Sequence, residues 1–173
     1  MNDSIPPIDV EVQIDVPAGG EPGSMATERL VRAVQAAAQE AGFAGPAEMS
    51  LVITDDARVQ ELNRTYRGVD QTTDVLAFGA TEEEGDRARF VAPPAEGPLY
   101  LGDVIISFPQ AKRQADERGH PVASELCLLT VHGTLHLLGY DHADAEEQRR
   151  MWALQRGALR RLGCEEASPE DAG

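Results

Sequence analysis

The stretch PVASELCLLTVHGTLHLLG, residues 121–139, constrains the fold of this chain more than any other. Its apolar residues, among them Val122, Leu126, Leu129, Val131, Leu135 and Leu138, are spread round most of a helical circumference. A helix that is apolar on most sides belongs in the middle of a protein. It is no membrane span, because Gly, His and charge interrupt the apolar runs well short of the roughly 20 residues that crossing a bilayer takes. Other elements must therefore wrap around it. Pro121 suits its first turn, and Gly139 ends it by taking a left-handed conformation at low cost.

The rest of the chain supplies those elements. IDVEVQIDV (8–16) alternates apolar and acidic residues and predicts a half-exposed strand. MATERLVRAVQAAAQEAG (25–42) has helical spacing and a terminal Gly. A strand ending near Thr54 follows, then a short helix capped by Asp55 or Asp56 and stopped by Gly68. TDVLAFGA and LYLGDVIISF predict two more strands, separated by a long Gly-, Pro- and Glu-rich surface loop over 80–98. Pro109 closes the last strand and QAKRQADERGH begins a helix. A final amphipathic helix, with Asp141 or Asp144 as its cap, ends at Gly163. The order β-α-β-α-β-β-α-α-α predicts an α+β fold, a small mixed sheet of about four strands packed with helices. The 173 residues suit one domain, with an acidic flexible C-terminal tail from about residue 164.

Charge and cysteine content narrow the setting. Thirty acidic against fifteen basic residues give a net charge of -15, which argues against broad electrostatic binding to nucleic acid. The arginines gather locally, however, at Arg64 and Arg67 and along the final helix; this pattern fits a local basic cleft as well as the blander reading of solvated helix faces. Cys127 and Cys164 form no C-x-x-C pattern, and Cys127 reads as a small buried apolar residue. The first residues show neither a basic n-region nor an apolar h-region, so a secretory signal is not expected and a reducing, cytoplasmic location is.

Three of the four histidines fall in VHGTLHLLGYDH. His132 and His136 are four apart and share a helix face, with Cβ atoms about 5–6 Å apart. Two imidazoles so placed can bind one ion. A chain that reverses at Gly139 can return His142 over the helix end, giving three nitrogens with a fourth position open, the arrangement of catalytic zinc. The spacing H-x3-H-x5-H is also that of zincin-like metzincin peptidases. Those enzymes need a Glu after the first His as general base. Gly133 stands there and cannot take a proton, so peptidase chemistry is disfavoured; the Gly fits a close approach of substrate or backbone. Asp141 fits equally a hydrogen bond to a ligand imidazole or a cap on the last helix. Asp74 reads as a turn residue, Tyr140 as a pocket-rim or base-stacking residue, and His120 as a surface loop residue.

HGTLHLLGYDH resembles the H-G-x-L-H-L-x-G-Y-D-H signature of the bacterial YbeY family of metal-dependent endoribonucleases and ribosomal RNA maturation factors. ELNRTYRGVDQTTDVLAF (61–78) and LGDVIIS (101–107) resemble two further family segments, and the likeness spans roughly residues 45–145. Ala77 and Gly79 depart from the family's usual Ser and Pro, and the 80–98 loop is long.

The resemblance implies the family's mixed sheet around a zincin-like histidine helix, one zinc or similar divalent ion on His132, His136 and His142, and a functional arginine at Arg67. It implies a single catalytic domain cutting single-stranded RNA in maturation of the small-subunit 3' end and in ribosome quality control. The expected partners are ribosomal RNA and the ribosome or its proteins, with neither DNA nor membrane. Cleaving a phosphodiester builds charge on phosphoryl oxygens; a metal can polarise them and lower the pKa of bound water toward about 7. Arg67 supplies planar, bidentate donors to the same phosphate. Without the resemblance, Arg67 reads as a solvent-exposed helix-end cation. Two alternatives stand beside this: a non-catalytic metal-binding ribosome-associated factor and, more remotely, a metallopeptidase.

Overall fold

The structure, a computed structural model, describes residues 8–16, 24–43, 45–80, 99–141 and 143–168. Four strands form one mixed sheet: β1 (Ile8–Ile14), β2 (Ala47–Thr54), β3 (Val75–Gly79) and β4 (Leu99–Ser107). Their spatial order is β1-β2-β4-β3. β1 runs parallel to β2 and β2 parallel to β4, while β3 pairs antiparallel with β4 and forms one edge. The helices are α1 (Ser24–Glu40), α2 (Asp56–Arg67), α3 (Phe108–Arg118), α4 (Val122–Leu137) and α5 (Ala145–Leu162), followed by a 3-10 turn at Glu165–Ala167. This is the α+β fold expected from the sequence, element by element.

The period-two pattern sorts the two faces of the sheet. Met49, Leu51, Ile53, Val104 and Ile106 point to one face and pack with Leu30 and Val34 of α1 and Leu126 and Leu129 of α4. On the other face α2 lies across the sheet, where Val59 packs on Leu76 and Ile105. Behind α4, a second cluster joins α1, α4 and α5 through Val131, Leu135, Met151 and Leu159. α4 is thus enclosed by the sheet on one side and α1 and α5 on others, the central position its apolar circumference demanded.

Two glycines allow this packing. A Cβ on Gly133 would stand 2.7 Å from Val104 Cγ1, so the bare backbone lets α4 settle against β4. Gly133 serves the close approach the sequence suggested, and its neighbour is the sheet. Gly102 sits at φ +135 beside a register irregularity between β2 and β4. A Cβ there would stand 2.2 Å from the Phe78 carbonyl oxygen, so only Gly permits β3 to pair at that point.

Local chemistry sets the boundaries. Asp55 caps α2 by accepting from Arg58 N–H at 2.8 Å, and Gly68 closes it at φ 71. α3 begins earlier than expected: Ser107 is its N-cap, and Phe108 and Pro109 form its first turn instead of ending the strand. Pro121 stands as the N-cap of α4, one residue before its first turn. Asp144 caps α5, accepting from Glu147 N–H at 2.8 Å, so of the two expected candidates it is Asp144 that caps the helix.

The burial of three side chains bears on the sequence reading. His120 is a buried side chain, its Nε2 2.6 Å from Glu125 Oε1, with Arg118 (2.9 Å) and Gln114 (2.8 Å) on the other carboxylate oxygen. Cys127 is fully buried as expected, and burial pushes its thiol up to about 12. Cys164 is also buried, accepting from Arg29 Nη2 at 3.1 Å, and Ala167 packs in the same cluster. Most of the 80–98 loop (81–98) and the tail from 169 lie outside the described residues.

Candidate active site

A cleft of about 510 Å³ opens between α2, β3 and the C-terminal half of α4. Arg67, Asp74, His132, His136, Tyr140 and Asp141 are among its lining residues. Each is placed by an identifiable local cause. The i, i+4 spacing puts the rings of His132 and His136 edge to face, with centroids 4.8 Å apart and planes at 73°. Both rings are half-buried, on the one side of α4 that turns away from the core.

His132 is oriented from behind. Its Nδ1 lies 3.0 Å from Oε1 of Gln155, a buried residue of α5. An amide oxygen only accepts, so Nδ1 carries a proton, and in the neutral ring the lone pair is then on Nε2. This is the arrangement by which a neighbour fixes the tautomer of a metal-ligating histidine. Gln155 was not singled out from the sequence, where its only mark is a polar residue on the apolar face of an amphipathic helix.

Past His136 the chain reverses. Gly139, at φ 101, donates to the His136 carbonyl at 3.0 Å, and Tyr140 N–H donates to the Leu135 carbonyl at 3.0 Å. Asp141 is exposed and lines the cleft, and Tyr140 packs at its rim against the second core cluster. His142, the third expected ligand, lies outside the described residues. Among the described residues no group of three His, Cys, Asp or Glu side chains is placed to hold an ion. The donor set fits a metal: two imidazoles on one helix face, one of them oriented through Nδ1.

Arg67 is the last residue of α2 and exposed, yet its side chain does not run out into solvent. Its Nη2 donates to the Ala77 carbonyl at 2.6 Å, and its guanidinium lies 5.0 Å from the Phe78 ring centroid. Asn63 holds the connection after α2 by donating to the Gln71 carbonyl at 2.9 Å. The helix end is thereby tied to β3, and Arg67 reaches the cleft shared with the histidines. Asp74 acts as a turn residue: its Oδ1 accepts from Val75 N–H at 2.8 Å. Arg67 is the sole lysine or arginine lining this cleft among the described residues, and Asp74 and Asp141 line it too.

The endoribonuclease YbeY family model matches residues 22–163. The chain belongs to this family. The endoribonuclease YbeY of Moorella thermoacetica is 52% identical over 151 residues, covering 87% of this chain and 93% of its own. That of Roseiflexus castenholzii is 45% identical over 90% of this chain and 96% of its own. That of Bacillus licheniformis is 43% identical over 86% and 94%. A solution structure of a Thermotoga maritima protein shares the fold, with a TM-score of 0.52 and 22% identity over 94% of this chain and 98% of that one. Membership of the YbeY family makes the chain an endoribonuclease, a hydrolase acting on RNA, with a role in ribosomal RNA maturation. No helix among the described residues is long and apolar enough to cross a membrane.

Proposed function

We propose that this endoribonuclease cuts single-stranded RNA in the histidine cleft, with one zinc or similar divalent ion held by His132, His136 and His142. The observation that carries the reading is the meeting of the two half-buried imidazoles and the Arg67 guanidinium in one cleft. Such an ion, when bound, supplies Lewis-acid polarisation and a more acidic water. The chain's own residues do the rest. Gln155 holds the His132 ring through Nδ1, and His132 lines the cleft. Arg67, braced by Ala77 and Phe78, brings its guanidinium to the cleft, where it can meet a phosphate whose charge grows as the bond breaks. Asp141, at the cleft wall beyond the chain reversal, is placed to accept a proton or orient an imidazole. The chain works as a single catalytic domain in the cytoplasm, on small-subunit ribosomal RNA and in ribosome quality control, alongside the ribosome or its proteins.

Peptidase chemistry is disfavoured on a specific ground. A side chain at position 133 would point into Val104 of the sheet, so that position delivers no carboxylate to the cleft. In a non-catalytic role the ion would serve folding alone, and His136→Ala would then unfold the protein. The test is incubation of the full chain with single-stranded RNA, with and without chelator. Cleavage that stops with chelator and returns with added metal supports the reading. Equal cleavage in both tubes, or a His136→Ala variant that is folded and fully active, contradicts it.

A further inference from the structure

A second cavity, of about 320 Å³, lies on the opposite face of the sheet from the histidines, beside α2. Its apolar side includes Tyr66, Phe78 and Ile105, and its polar side includes Gln13, Asp15 and Asp103. Both cavities are lined by β3, the edge strand: Phe78 lines this one and Ala77 the first. Tyr66 and Phe78 pack edge to face with centroids 5.6 Å apart, and Phe78 is the ring that braces Arg67 from the first cleft. Tyr66 and Arg67 are consecutive, so the residue beside the phosphate-binding arginine presents an aromatic ring that is 58% exposed.

The charge of this cavity decides what it accepts. Two aspartates face one arginine, Arg58, which is itself paired with Glu61 at 2.9 Å. That repels an RNA backbone. It suits a base, whose flat face stacks on an aromatic ring and whose amino groups donate to carboxylates. Asp103 already accepts from Tyr100 Oη, which fixes the carboxylate while leaving it further acceptor capacity.

We propose that this cavity binds the nucleobase of a nucleotide flanking the scissile phosphate, stacked on Tyr66 and read by Asp15, Asp103 and Gln13, with preference for amino-bearing bases over uracil. The inference rests on the reading that Arg67 holds the phosphate. It gives single-strand selectivity a cause: the hydrogen-bonding edge that the aspartates read is occupied in a duplex, so only an unpaired base can turn round the β3 edge and enter.

The experiment uses the full chain and RNA hexamers carrying the fluorescent base 2-aminopurine at one position at a time, with binding and cleavage measured on the same oligonucleotides. Quenching is expected at a position next to the cut, retained in Tyr66→Phe and weakened about tenfold in affinity in Tyr66→Ala. An abasic nucleotide at that position should raise KM about tenfold and change kcat little, and Asp103→Asn should erase the discrimination against uracil. Absence of quenching at every position, wild-type affinity in Tyr66→Ala, or failure of Tyr66→Phe to behave as wild type overturns the proposal. Hexamers that bind and quench without being cut leave the pocket standing and contradict the cleavage reading. Cleavage indifferent to abasic substitution throughout contradicts the pocket alone.

Discussion

At the scale of single residues, the site depends on what stands behind the histidines as much as on the histidines. His132 and His136 were legible in the sequence because a spacing of four fixes two side chains on one helix face whatever surrounds them. Gln155 was not, because its contact with His132 crosses 23 positions and exists only once α5 packs behind α4. Gln155→Leu keeps the volume roughly constant and removes the acceptor that sets the His132 tautomer. Metal affinity should fall about 10–100-fold, measured by competition with a chromogenic chelator, while the fold persists by circular dichroism. Gly133 is a second case. Gly133→Ala gains about 1 kcal/mol of helix propensity but drives a Cβ to 2.7 Å from Val104, a branched side chain held in the sheet. Overpacking of about 1–3 kcal/mol should win, seen as a lower urea midpoint, and the Val104→Ala background should relieve it. Arg67→Ala should lower kcat about 100-fold, as loss of a charge-stabilising donor does, with bound metal unchanged.

At the scale of elements, periodicity and caps made nearly every helix and strand legible, and the departures share one cause. Phe108 and Pro109 look like the end of a strand until Ser107 is seen capping α3. His120 looks like a loop residue until the packing of α3 on α4 closes over it and Glu125. Both depend on neighbours that a linear pattern does not contain. The join between α2, α3 and β4 is a tie of the same kind. Burial pushes the Asp56 carboxyl up, but hydrogen bonds from Ser107, Arg113 and Thr72 outweigh it and leave its pKa below the usual carboxylate value. A carboxyl lowered in the folded state contributes stability that is complete above the ordinary carboxylate range and is lost as pH falls from there through the lowered folded pKa. Asp56→Asn should therefore be less stable than the wild type at neutral pH, with the gap between their urea midpoints closing below about pH 4. Half-exposure of Arg113 keeps the effect modest.

At the scale of the whole molecule, a net charge of -15 sits beside an RNA-cutting activity, and the site geometry reconciles the two. The cleft carries one arginine among its described residues, so few phosphates are neutralised on binding. Affinity for single-stranded RNA should then fall only gently with salt, with a slope of about -0.7 per phosphate contacted and a total nearer one or two contacts than ten. The sign of the charge was legible in composition; its effect was not, because that depends on which arginines face the cleft and which, like Arg161 paired with Glu40, lie elsewhere. The central claim is that an ion on the α4 histidines and the Arg67 guanidinium act together on one phosphate. Cleavage of a single-stranded RNA by protein purified without a histidine tag, assayed alongside its metal content, tests it most directly. The account predicts about one ion per chain, loss of cleavage when a chelator removes it, and recovery on its return. A metal-free protein that cuts at the full rate would contradict it.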